Sequence, residues 1–400
     1  MQHNQSVQGN LLRDINLRII FLITLMAVLG VSSIAPAFPK IQQELNISEA
    51  AIGLLIIVFT LPGVFLTPVL GVLADRLGRK TVLVPSLLLF GVAGGICALV
   101  RDFELLLLFR FFQGTGAAAL GSINVTLIGD LFSGKQRTEA MGYNASVLSI
   151  ATASYPFFGG LLATFGWYFP FVLPLLALPV ALLVLFKLDN PEPSREQHLK
   201  EYLKSALASL KNTEAILYFG ASMAVFIVLY GSYLTYLPIL LAERFDASSF
   251  QIGFVMACMS MVTAITSSQA GRLARRFGER RLLFASFLIY AIAMGVIPFV
   301  FNIWLLLLPV MFYGLGQGVN MPALLALLTG LAPLEYRAAF MSMNGMVLRL
   351  GQTLGPVVMG GAFVVGGLEL TFWAGSALAL VMFVLLVTAR FKPRQESSGF

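Results

Sequence analysis

The sequence predicts an all-α membrane protein of twelve spanning helices, arranged as two related six-helix bundles. Three observations predict it. Of the 400 residues, 58% are hydrophobic and only 11% are charged, whereas a soluble domain carries about 25% charged residues. The apolar residues gather into runs of about 20, the length that crosses a bilayer core at a rise of about 1.5 Å per residue. A charged turn, Gly71-Val72-Leu73-Ala74-Asp75-Arg76-Leu77-Gly78-Arg79-Lys80, returns in altered form as Gly271-Arg272-Leu273-Ala274-Arg275-Arg276-Phe277-Gly278-Glu279-Arg280, and apolar runs flank both copies.

Taken in order, the predicted spans of the first half are 16–37, 50–70, 83–100, 104–131, 139–163 and 168–188. In the first, the apolar stretch comes after Arg13 and Arg18 and ends on Ala35-Pro36-Ala37. That run is too long for a signal-peptide core, and Pro36 sits beside the supposed scissile bond, so it reads as an uncleaved span. Asp189-Asn190-Pro191-Glu192-Pro193 stops the sixth, since proline removes a backbone donor. In the polar linker that follows, Leu199, Tyr202, Leu203, Ala206, Leu207 and Leu210 keep helical spacing, with Lys200, Glu201 and Lys204 off that face. This predicts an amphipathic helix on the inner membrane surface, acting as a tether or a regulatory element. The second half then spans 215–241, 250–270, 282–301, 303–331, 338–364 and 369–389. The expected units are therefore residues 1–188, 189–213 and 214–400.

A constant shift of 200 residues relates the halves. Ile52-Gly53 meets Ile252-Gly253, Gly114 and Gly116 meet Gly314 and Gly316, and Arg137, Met141 and Asn144 meet Arg337, Met341 and Asn344. Pro156 and Gly160 meet Pro356 and Gly360. Parallel repeats of this kind are a transporter design, with the ligand site at the repeat interface near mid-membrane. With the N-terminus in the cytoplasm, only Lys40, Arg101 and Arg244 of the 26 Lys and Arg fall in external loops, which sets the orientation by the positive-inside rule. Trp167, Trp304 and Trp373 fall near external span ends, where interfacial anchors belong.

Other function classes find little support. The net charge of +7 is spread over short loops with no basic patch, which argues against nucleic-acid binding. Cys97 and Cys258 stand alone in apolar runs, and His3 and His198 lie in polar segments, so no metal site, disulfide framework or catalytic constellation is indicated. No ATP-binding loop of the Walker type occurs. No cofactor is expected, and a single copy is the expected working unit.

The charged turn between the second and third spans, and Arg110-Phe111-Phe112-Gln113-Gly114-Thr115-Gly116 on the fourth, resemble motifs of the major facilitator superfamily, specifically its twelve-helix drug:proton antiporters. The likeness runs through essentially the whole chain. A Gly-rich, Pro-containing antiporter stretch on the fifth span is reduced here to Pro156, Gly159 and Gly160, with Ala151 and Tyr155 where glycines are usual. Gly351-x-x-x-Gly355-Pro356 on the eleventh keeps more of it, with Gly360 beyond. The resemblance implies proton-coupled export from a plasma (inner) membrane. It also implies a cytoplasmic latch built from Asp75, Arg79 and Asp130, and a cavity-facing, proton-linked Arg110. The rival functions are a specific carrier for an anionic metabolite, siderophore or sugar derivative, and a transport-dead receptor or scaffold.

Gly71 and Gly78 are expected to let helix ends approach and turn with positive φ. Asp75 with Arg79 or Arg76 forms either the latch or a solvated turn. Arg110 and Arg349 lie inside spans, where an arginine costs roughly 2.5–3.5 kcal/mol on insertion scales. Each has a glutamine three residues on, Gln113 and Gln352. They either face a watery cavity or lock helices through carbonyls. Because the first and seventh spans hold no Asp or Glu in their apolar interiors, the pocket is expected to be net positive and to take neutral, amphipathic or anionic compounds. Tyr230, Tyr233, Tyr236 and Asn320 are the further wall candidates.

Overall fold

A computed structural model describes residues 11–189, 212–331 and 337–389, all helical apart from turns. The predicted linker helix over 199–210 lies outside the described residues. In order, the N-terminal half comprises α1 (Ile15–Leu45), α2 (Glu49–Leu77), α3 (Arg79–Cys97), α4 (Phe103–Leu131), α5 (Gly134–Phe165) and α6 (Phe169–Lys187). The C-terminal half continues with α7 (Thr213–Phe245), α8 (Ser249–Phe277), α9 (Glu279–Phe299) and α10 (Ile303–Leu331). One further helical stretch, Arg337–Thr388, is too long for a single crossing and is broken at Gly366 and Gly367, the latter at φ 67°. It therefore supplies α11 (337–365) and α12 (368–388), which brings the spans to twelve.

Local chemistry explains the irregularities. Pro36 sits in a 3-10 turn within α1, and Pro170 and Pro174 lie in the 3-10 start of α6, because proline cannot donate the bond that an α-helix needs. Asp102 caps α4 by accepting from the Leu105 amide at 2.9 Å. Ser248 and Gln251 form a capping box at the start of α8. The turns after α1 and α7 end on Asn46 (φ 56°) and Asp246 (φ 50°), residues related by the same 200-position shift. Their short polar side chains tolerate the left-handed region better than most.

Within each half the fourth helix of the repeat lies between the second and third, so α4 packs on α2 and α3, and α10 on α8 and α9. Across the halves α5 packs on α8, and α2 on α11. Large apolar side chains such as Phe65, Phe165, Phe186 and Val365 remain at the surface, where lipid chains are as apolar as they are. The tryptophans correct one expectation. Trp304 and Trp373 are exposed, but Trp167 is fully buried, packed edge-on against Tyr168 and Phe171 with the Arg101 guanidinium above it. It is a core residue rather than an interfacial anchor.

Candidate transport pathway

The halves meet at the ends of α2, α5, α8 and α11 that lie away from the charged turns. Gly160 of α5 faces the Ser249 carbonyl and Gly253 of α8, and Gly253 faces the Pro156 carbonyl so closely that a Cβ would collide with it. The pseudo-symmetric contact is present as well: a Cβ on Gly53 of α2 would stand 3.0 Å from Pro356 of α11. Phe157 and Phe250 close the seam edge-to-face, with centroids 5.5 Å apart. Nearer mid-helix the Thr60 and Thr353 hydroxyls hydrogen-bond across the halves at 2.9 Å. Toward the other end, a Cβ on Gly142 or Gly345 would have nothing within 4 Å. The contacts named here between the halves thus lie at mid-helix and toward the end away from the charged turns.

Arg349 lies on this seam. It projects from α11 so that its Cδ stands 3.2 Å from where a Gly63 Cβ would be, on α2. Its Nη2 stands 3.8 Å from the same position at Gly121, on α4. Tyr230 of α7 is near enough for its phenol to interact electrostatically with the guanidinium. Among the described residues its hydrogen bond is to Gln352 Oε1, at a long 3.4 Å. Arg349, Gln352 and Tyr230 are all only half-buried. A cation held by one long bond, beside a phenol and an amide, can receive a carboxylate or a polar oxygen of a cargo.

Arg110 corrects the expectation of a pair of cavity-facing arginines. It is completely buried in the N-terminal half. Its Nη1 donates to Gly30 O at 2.9 Å and Gln113 Oε1 at 2.7 Å, and Nε and Nη2 both donate to Leu55 O at 3.2 Å. The guanidinium also lies 4.2 Å from the Phe59 ring centroid, a favourable cation–π position. In this conformation Arg110 ties α4 to α1 and α2 by the carbonyl lock that was its alternative reading. The repeat contains the reason for the difference between the two arginines. Position 310 is Val and position 149 is Ser, so neither arginine has a symmetric copy and each is adapted to its own surroundings.

The aromatic wall also divides. Only Tyr230 stands beside Arg349. Tyr233 is buried and donates to Met256 O at 3.0 Å within the C-terminal half. Tyr236 is buried and stacked on Phe363. Asn320 is buried and donates to Ser286 Oγ at 2.7 Å, which places it between α10 and α9, away from the seam. The three tyrosines share a π-helical stretch, Leu229–Tyr236, a rare form that often marks functional segments. Nothing in the apolar periodicity announced it. Gly231 there abuts Gly355 and Met359 of α11, which joins the stretch to the helix that bears Arg349.

At the charged turn Arg79 pairs with Asp75 and, at 3.0 Å, with Asp130. The cluster binds α2, α3 and α4 of one half to each other; it does not span the two halves in this conformation. Gly78 takes the expected left-handed φ of 92°. Gly71 sits inside α2 with nothing within 4 Å of a Cβ, so it provides neither a turn nor a close approach, and Arg76 is exposed. In the second copy the visible tie is Arg280 to Glu214, at 3.2 Å. A triad not foreseen from the sequence joins α1, α4 and α5. Asn124 Nδ2 donates to Thr24 Oγ1, which donates to Asn144 Oδ1, both at 2.5 Å. Among the described residues no group of His, Cys, Asp and Glu is placed to hold a metal.

Comparison with known proteins agrees with this architecture. The family model for the Major Facilitator Superfamily matches residues 20–246 and 215–400. Multidrug resistance protein 1 of Bacillus subtilis (strain 168) is 27% identical, covering 88% of this chain and 90% of that protein. The bacillibactin exporter of the same organism is 26% identical, over 94% and 97%. The class B tetracycline resistance protein of Escherichia coli is 24% identical, over 96% and 97%. Among solved structures, a D323A mutant of the nucleoside transporter NupG superposes with a TM-score of 0.78 at 18% identity, covering 94% of this chain and 99% of that one. The charged turn, the two six-helix halves and the seam between them converge with these matches: the chain belongs to the major facilitator superfamily, as a secondary transporter of the bilayer and not an enzyme.

Proposed function

We propose that the protein exports small neutral, amphipathic or anionic organic compounds in exchange for protons, the two halves rocking about the seam that carries Arg349. The single observation behind the cargo class is the half-buried Arg349 guanidinium at mid-membrane, held by one long bond to Gln352. A cation so placed favours a carboxylate or an electron-rich oxygen and repels a lipophilic cation. Relatives named as resistance proteins and as an exporter support the outward direction. The distribution of Lys and Arg supports cytoplasmic termini in an inner membrane, with the closed end of the seam outside. The proton gradient supplies the energy, no cofactor is needed, and one copy suffices.

Purified protein in liposomes with an imposed pH gradient tests this reading. Transport of an aromatic carboxylate, its neutral amide and an ethidium-like cation is compared for the parent, Arg349→Lys and Arg349→Ala. The expectation is a preference for the carboxylate, reduced in Arg349→Lys and lost in Arg349→Ala. Strong cation transport that is indifferent to Arg349→Ala would refute it.

A further inference from the structure

We propose that Gly63 of α2 and Gly121 of α4 are positioning residues for Arg349: they form a seat in the N-terminal half on which this cation of the C-terminal half lies flat, with its free N–H edge turned to the cargo. The role toward cargo rests on the function just proposed. The register comes from the helices themselves. The Thr60–Thr353 hydrogen bond fixes α2 against α11. Gly63 lies three residues past Thr60 and Arg349 lies four residues before Thr353, so both fall about one turn along the same face, toward the end that bears the charged turns.

A Cβ on Gly63 would stand 3.2 Å from Arg349 Cδ, 3.3 Å from Nε and 3.5 Å from Cζ, and these three are its nearest neighbours. Nearly equal distances to three successive atoms mean that the flat of the side chain lies over the glycine instead of pointing at it. At the tip, a Cβ on Gly121 would stand 3.8 Å from Nη2. The bond to Gln352 uses Nη1, and among the described residues Nε and Nη2 make none. Those two nitrogens form one planar edge of the guanidinium, a fork that can bind a carboxylate through two parallel bonds. An arginine without a seat samples many rotamers. Resting flat on helix backbone holds one orientation before cargo arrives, which is preorganisation.

The internal repeat supplies an independent observation. The counterpart of Arg349 is Ser149, and at the positions that match Gly63 and Gly121 stand Thr263 and Met321. Ser149 Oγ donates to Ala145 O of its own helix at 2.9 Å, and Thr263 Oγ1 donates to Gly314 O of its own half at 3.1 Å. Bare backbone is therefore present at the crossing that holds an arginine and absent from the crossing that does not. Close helix packing alone does not require this difference, since α5 and α8 approach each other through another pair, Gly160 and Gly253.

The test is a stability cycle on the full chain in lipid nanodiscs. Gly63→Ala should lower the thermal midpoint of the parent, because the guanidinium must shift. In Arg349→Ala the same substitution should be neutral or raise the midpoint, since the atoms nearest the new Cβ are gone and alanine suits a helix interior better than glycine. Gly121→Ala, at ordinary contact distance, should act alike in both backgrounds. An equal effect of Gly63→Ala in both backgrounds would overturn the seat. If Gly63→Ala does not fold alone, its recovery in Arg349→Ala supports the seat, and failure in both overturns it. The second readout is modification of Arg349 by phenylglyoxal, followed by peptide mass spectrometry with exposed Arg76 as the internal standard. Naphthoate should protect Arg349 in the parent, and naphthamide should do so only at higher concentration. Gly63→Ala should raise the half-protecting concentration of naphthoate by about 10- to 150-fold, the factor carried by one hydrogen bond to a charged group. Parental protection in Gly63→Ala would refute the positioning role. No protection by naphthoate in the parent would refute the cargo class instead, and the stability cycle would still decide the seat.

Discussion

Gly253→Ala isolates the closed seam from everything else in the fold. A Cβ at this position would meet the Pro156 carbonyl and would stand 3.0 Å from the Gly160 Cα. Both obstacles are backbone of α5, so no side-chain rotation relieves them; α8 must move away from α5. Overpacking of this kind costs about 1–3 kcal/mol, which converts to about 5- to 150-fold in the ratio of closed to open protein. Alanine also favours a helix over glycine by up to about 1 kcal/mol, but α8 is helical in either state and that gain cancels from the ratio. Spin labels at Gln43→Cys and Val365→Cys, exposed positions in opposite halves, on a Cys97→Ala/Cys258→Ala background in lipid nanodiscs report the shift as a longer distance. Gly345→Ala is the control, since a Cβ there would have nothing within 4 Å, and its distances should match the parent. An unchanged distribution for Gly253→Ala, in protein that retains its thermal midpoint, would refute a seam that closes by close helix contact.

Four further substitutions probe the N-terminal half, each read as a shift in thermal midpoint with a thiol-reactive dye, for which Cys97 is a fully buried reporter. Asp75→Asn and Asp130→Asn each weaken one ion bond to the nearly buried Arg79, with an expected loss of about 1–3 kcal/mol. The double variant should lose less than the sum, because the two share one arginine; strict additivity would argue against a joint cluster. Asn144→Ala removes the acceptor of the Thr24 hydroxyl and should lower stability by about 1–3 kcal/mol, whereas an unchanged midpoint would dismiss the triad as a tie. Arg110→Lys loses the planar fork that reaches Gly30, Leu55 and Gln113 at once. Cys97 should then react faster. Normal Cys97 protection with transport abolished would instead assign Arg110 to transport chemistry.

The fold was legible because bilayer crossing constrains length and hydropathy so tightly, and because a 200-residue shift survives even at the turn residues Asn46 and Asp246. What the sequence could not distinguish is which buried polar residue turns inward to its own half and which reaches the seam. Arg110 and Arg349 look alike along the chain, each followed three residues later by glutamine. Only packing tells them apart. Gly30 and Leu55 present carbonyls to Arg110, while Gly63 and Gly121, lacking side chains, leave space for Arg349. Tyr233 and Asn320 escaped in the same way, because helical periodicity identifies a face without naming its neighbour.

The two halves divide the mechanical work unequally. In the N-terminal half the Arg110 lock, the Thr24–Asn124–Asn144 triad and the Arg79 cluster tie α1 through α5 at three levels along the bundle. The repeat keeps one of these ties in altered form, Ser222 Oγ donating to Asn344 Oδ1 at 2.7 Å, but Val310 replaces Arg110, Ala224 replaces Thr24, Leu324 replaces Asn124 and Gly330 replaces Asp130. Beside its own ties the C-terminal half carries a π-helical stretch in α7, pressed against the helix that presents Arg349. A π segment sits between alternative hydrogen-bond registers, so it can absorb a small rotation without breaking the helix. This arrangement predicts where motion concentrates. Amide hydrogen exchange should be fastest, among buried spans, over residues 229–236 and should slow when cargo binds, while the interiors of α1 and α4 stay protected throughout. Uniform protection across both halves would place the bend elsewhere and leave α7 a rigid wall.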